Sequence, residues 1–151
     1  MKLCKYIMSI IVVLLMMVSC ATSKTVLLNN VNISKYKYVV FGTEVSGDRE
    51  LDDVSMEVQN YIASTDLIVL SSYSSIDKVE CLDCILTPHI HVTTEKWDGG
   101  HTYITVTFYD YVGGQRIAVV KSSGIGLTVI HDQNIALDAI KEELDKLFKS
   151  K

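Results

Sequence analysis

Residues 102–112 constrain the fold of this 151-residue chain more than any other stretch. Ile104, Val106 and Phe108 alternate there with Tyr103, Thr105, Thr107, Tyr109 and Tyr111. A two-residue period puts the first set on one face of a β-strand and the second on the other, whereas a helix would mix them. The apolar face must be covered by a second layer. The opposite face is aromatic and polar, and suits water or a partner.

The flanking sequence supplies the rest of a sheet. Trp97-Asp-Gly-Gly-His101 reads as a hairpin turn before this strand, and Gly113-Gly114 as a tight turn after it. Residues 84–95 and 115–122 are then its antiparallel neighbours. Pro88 removes a ladder donor, so the 84–95 strand is expected to be an edge or bulged there. Upstream, residues 35–41 are β-branched and aromatic and stop at Gly42, which makes a first strand. Residues 67–70 are continuously apolar, which predicts a strand buried on both faces. Residues 71–83 are Ser-rich and read as loop. Ser46-Gly47-Asp48 supplies N-cap chemistry for a helix over residues 49–63, with an apolar stripe of Leu51, Val54, Val58, Tyr61 and Ile62. Asp132 or Asn134 is expected to cap a closing helix that runs to Phe148, striped by Leu137, Ile140, Leu144, Leu147 and Phe148. Two single-striped helices need one surface to lie on. The expected fold is an α+β two-layer sandwich, a five-stranded mixed sheet with both helices on one face, running β-α-β, three antiparallel strands, then α.

The first 19 residues are a different object. They hold four of the five Met, with Lys2 and Lys5 ahead of an uncharged run over residues 7–18. That run is too short to cross a hydrocarbon core, which needs about 20 residues, and has the length of a signal-peptide core. It ends in Met17-Val18-Ser19-Cys20, which resembles a bacterial lipobox with Met where Leu is usual. The resemblance implies cleavage before Cys20 and diacylation of its sulfur, palmitoyl chains included. A plain cleaved signal or an uncleaved anchor are the alternatives. The expected organisation is a signal peptide over 1–19, a lipidated tether over 20–33, and a single domain over 34–148. No acidic cluster follows Cys20, which points to a periplasm-facing domain on the outer membrane. The expected membrane contact is the lipid on Cys20.

Without Lys2 and Lys5, 12 basic residues face 18 acidic ones. That balance leaves no electrostatic footprint for nucleic acid. Cys81 and Cys84 remain as a pair. A disulfide or two buried thiols, a metal-ligand pair and a redox motif are all open from the spacing. The redox reading is disfavoured because a strand-like run follows, where that motif needs a helix N-terminus.

A lipobox, a short tether and a β-α-β-β-β-α domain together resemble a group of small envelope lipoprotein domains. These are the amino-terminal domain of the Tol-system propeller protein, the core domain of the curli-secretion lipoprotein, and the outer-membrane activators of penicillin-binding proteins. The echoes are Asp83-Cys-Ile-Leu86, Gly113-Gly114 before Ile117-Ala-Val-Val120, and Ile135-Ala-Leu-Asp-Ala-Ile140. They cover residues 34–148. The resemblance implies binding or assembly with another envelope protein, or self-association, and no active-site chemistry.

The candidate sites follow from the strands. His89 and His91 lie two apart, so they share a face. With Cys81, Cys84 or His101 they are metal-ligand candidates, although the spacing matches no standard zinc module. By parity, Thr87, His89, His91 and Thr93 should align with Tyr103, Thr105, Thr107 and Tyr109 on one uncovered face. That face is the expected partner-binding surface. Gly124-Ile-Gly126 lacks the third Gly and the Lys-Ser/Thr of phosphate loops and reads as loop. Neither a nucleophile elbow nor a carboxylate pair stands out. The expectation is a non-enzymatic protein without a cofactor, with metal or small-ligand binding as the alternative function.

Overall fold

The computed structural model describes residues 20–28, 31–42, 47–71, 76–95 and 100–149. The expected signal peptide and the centre of the 97–101 turn lie outside these residues. The elements are β1 (Cys20–Leu27), β2 (Tyr38–Val39), α1 (Arg49–Ala63), β3 (Ile68–Val69), β4 (Ile85–Glu95), β5 (His101–Asp110), β6 (Arg116–Ile125) and α2 (Val129–Phe148). They form one six-stranded mixed sheet in the order β1-β6-β5-β4-β2-β3. β2 runs parallel to both β3 and β4, and every other pairing is antiparallel.

The expected α+β class and mixed sheet stand, but the sheet has six strands rather than five. The extra strand is Cys20–Leu27, expected to be tether. It pairs along its whole length with β6, from Cys20 opposite Ile125 to Leu27 opposite Ala118. Thr22, Thr25 and Val26 are β-branched, and the buried Glu143 of α2 holds the strand from below. Ser23 Oγ and Thr25 Oγ1 donate to its carboxylate at 3.2 and 2.6 Å, and Lys146 Nζ at 2.6 Å. Lys146 and the two hydroxyls keep that carboxyl below the usual glutamate pKa, against the opposing effect of burial.

Further expectations change. The first strand shrinks to Tyr38–Val39, and its expected first residue, Lys35, belongs instead to a 3-10 turn over Ile33–Lys35. The 67–70 run is not buried on both faces: Leu67 is buried, but Ile68 is 56% exposed. It forms the outer edge of the sheet, a position that its apolar composition alone does not reveal. The closing helix begins before Asp132 and Asn134. Thr128 caps it by accepting the His131 N–H at 3.2 Å. Asp132 lies inside, fully buried, and its carboxylate has no hydrogen-bond partner among the described residues.

Gly124 and Ile125 belong to β6 rather than to a loop. A Cβ on Gly124 would collide with the Asp132 carbonyl oxygen and lie 2.6 Å from the Ala136 nitrogen. The glycine is there because α2 crosses β6 at backbone contact. Ser122 Oγ, two residues earlier, donates to the Ala136 carbonyl at 2.7 Å and ties the same crossing.

Both helices lie on one face of the sheet. Val54, Val58 and Ile62 of α1 and Leu137, Ile140 and Leu144 of α2 share one core with Ile104, Val106 and Phe108. Phe108 is wholly buried and meets Phe148 edge to face at 5.0 Å. α1 is capped as expected, with Asp48 Oδ1 accepting the Glu50 N–H at 3.1 Å. Pro88 behaves as expected. Alternate residues of β4 bond to opposite neighbours: Val40 N–H donates to the Leu86 carbonyl and Tyr111 N–H to the Ile85 carbonyl. Pro88 shares the parity of Leu86, so its missing donor falls beyond the end of β2, where β4 has no paired strand among the described residues.

Candidate functional site

No described helix or strand covers the face of the sheet away from the helices. The β4–β5 register sets Thr87 opposite Tyr109, His89 opposite Thr107, His91 opposite Thr105 and Thr93 opposite Tyr103. These eight residues stand in two adjacent rows, as parity requires. His89, His91, Thr93 and Tyr103 are exposed, while Thr87, Thr105, Thr107 and Tyr109 are half-buried by their neighbours. His89 and Tyr109 meet edge to face, with centroids 4.9 Å apart and planes at 74°. His101 and Tyr103 tilt together at 5.5 Å further along.

The sheet extends this face beyond those two strands. From β6 come Val119, Lys121, Ser123 and Ile125, and from β1 come Cys20, Thr22, Lys24 and Val26. The β1 residues have no counterpart in the expected surface. The signal was the β-branched Thr22, Thr25 and Val26, in a segment treated as tether because it follows the expected lipid site. Thr22 and Ser123 share a hydroxyl hydrogen bond at 2.6 Å. Lys24 stands directly opposite Lys121. Like charges in that position disfavour the pairing on their own. A shallow cleft of about 250 Å³ opens at this margin, with Val26, Leu28 and Val119 beside Arg116 and Lys121.

The face is thus basic and aromatic, whereas the helical layer is acidic. Glu50, Asp53, Glu57, Asp138 and Glu142 are all exposed on α1 and α2. Part of that layer is paired internally, as where Lys141 Nζ contacts Glu57 at 2.7 Å. Tyr61 donates to Asp145 at 2.6 Å, which raises the phenol's pKa and lowers the carboxyl's.

The metal-ligand candidates are not brought together. Cys81 and Cys84 are joined by a disulfide, with Cα atoms 5.3 Å apart, ahead of β4. His101 pairs with Glu95, four strand positions beyond His91, which is roughly 13 Å at strand rise. Among the described residues, no group of three or more His, Cys, Asp or Glu is placed to hold a metal ion. No described helix is long and apolar enough to cross a membrane.

No protein-family model matches the sequence, and no curated protein matches it significantly. Solved structures do match in shape. The PelC dodecamer from Paraburkholderia phytofirmans is 11% identical over 87% of this chain and all of that one, with a TM-score of 0.49. A point variant of the same dodecamer in another crystal form is 10% identical, also over 87% of this chain and all of that one, at 0.51. A PDZ domain protein from Parabacteroides distasonis is 10% identical at 0.60, over 88% of this chain but only 37% of its own longer one. At such identities the likeness is one of fold: this chain shares its α+β sandwich with the variant PelC protomer and with part of the Parabacteroides protein.

Proposed function

We propose that this chain is a lipid-anchored protein of the cell envelope, non-enzymatic, whose open sheet face binds another envelope protein or further copies of itself. The observation that carries this reading is the uncovered face itself. Tyr103 and Tyr109 combine contact area with a polar tip, Thr105 and Thr107 lie between them, and His89 and His91 flank them. The facing Lys24–Lys121 pair adds a site at which an acidic partner would relieve repulsion. The acidic helical layer of a second copy has the complementary charge. The PelC variant is a dodecamer, and sharing its protomer fold lends support to self-association. The lipobox motif at Met17-Val18-Ser19-Cys20 supports the anchor and an outer-membrane, periplasm-facing location.

The test is crosslinking in intact membranes followed by purification of the full chain. Wild type should carry a discrete partner or ladder of copies, and Tyr103→Ala with Tyr109→Ala should lose it. The same species on the double variant would reject this face.

A further inference from the structure

The strand that replaces the expected tether fixes where a lipid on Cys20 would leave the domain. Cys20 is not separated from the domain by flexible chain. It is the first residue of β1 and is paired with Ile125, which puts their Cα atoms about 5 Å apart. A lipid on Cys20 would therefore emerge at the end of the sheet itself. That end presents the two most exposed large apolar side chains among the described residues, Leu127 at 69% and Ile130 at 70%, beside Ile125 at 38%. They are held in place: Thr128 caps α2, and Leu127 N–H points to His131 Nδ1 at 3.4 Å. The close β6–α2 crossing at Gly124 anchors the turn from behind. Exposed apolar residues held on a capped turn beside a lipid attachment point are explained by an apolar surface that the lipid brings to them.

We infer that Ile125, Leu127 and Ile130 seat this end of the domain on the lipid bilayer. The inference rests on the lipid-anchor reading and deepens it. Seated this way, the strands stand roughly along the membrane normal. The open Tyr/Thr/His face then looks sideways along the membrane, toward neighbouring envelope proteins or copies. Asp48, Glu50 and Asp53 lie close by at the start of α1, with Glu50 accepting from Gln133 Nε2 at 2.9 Å. The contact is therefore apolar rather than electrostatic, and zwitterionic lipid should support it.

The test uses the full chain purified from bacterial membranes, with mass spectrometry of its N-terminal peptide. An environment-sensitive fluorophore is attached at Leu127→Cys, Ile130→Cys or Val112→Cys. Val112 is 58% exposed but lies at the opposite end of the sheet. Each labelled protein is reconstituted into phosphatidylcholine vesicles carrying a lipid-borne quencher. Quenching at positions 127 and 130 should be several-fold greater than at 112. A lipidated chain quenched equally at all three positions overturns the seating and leaves the anchor intact. A chain with no lipid on Cys20 overturns the anchor and the seating together.

Discussion

The two faces of β5 are built from alternate residues of one strand, yet they meet different surroundings. Thr102, Ile104, Val106 and Phe108 are wholly buried beneath the helices. Tyr103, Thr105, Thr107 and Tyr109 lie on the opposite face, half-buried or exposed beside their cross-strand neighbours. One face carries the stability and the other is free to carry recognition. Substitutions should separate these roles cleanly.

The largest effect is expected at Phe108. Truncation to Ala leaves a cavity under both helices and should cost about 3–5 kcal/mol by denaturant unfolding. Thr107→Ala, its neighbour on the open face, should stay within about 0.5 kcal/mol. Similar values at the two positions would break the contrast.

Gly124→Ala comes next. The new methyl meets backbone atoms of α2, which cannot rotate away, so a loss of about 1–3 kcal/mol is expected. Ser123→Ala, one residue away on the open face, removes only the hydroxyl contact to Thr22. A near-neutral Gly124→Ala would mean that the helix can lift off the sheet at little cost.

Glu143→Gln tests how the edge strand is held. The variant weakens charged hydrogen bonds to Ser23, Thr25 and Lys146 and should cost about 1 kcal/mol. Because the folded carboxyl titrates below its unfolded value, this stabilisation is full above the ordinary glutamate range. It is lost as pH falls through the folded pKa. Wild type and variant should therefore differ at neutral pH and converge in acid. Hydrogen exchange should quicken in Cys20–Leu27 alone. A gap that persists in acid would remove the charge from the explanation.

The smallest effect sharpens the contrast from the open side. Lys121→Thr relieves the repulsion with Lys24 and should raise stability by about 0.2–1 kcal/mol at low salt, with the gain shrinking as salt is added. If the face binds an acidic partner, the same variant should weaken that complex while stabilising the free domain. Opposite signs in the two measurements are the signature of a residue kept for binding.

Much of this was legible in the chain, for identifiable reasons. The alternation over residues 102–112 fixed which side chains share a face, because parity is local and survives any change of neighbour. It also aligned His89 and His91 with the Tyr/Thr row, since the β4–β5 hairpin constrains register. What local pattern could not supply was the identity of remote neighbours. Leu67–Leu70 read as a central strand because apolar content suits burial, yet its place at the edge is decided by where β2 pairs. Gly124 read as loop because only the helix crossing above it shows why a side chain is forbidden there.

The apolar stripes, the α1 cap at Asp48 and the alternation of β5 are consequences of spacing along the chain, and they determined an α+β sandwich with one open face. Whether residues 20–27 hang free or join the sheet depends on contacts about a hundred residues distant, with β6 and Glu143. Only tertiary structure could decide that, because an edge strand is stabilised by partners its own sequence does not contain.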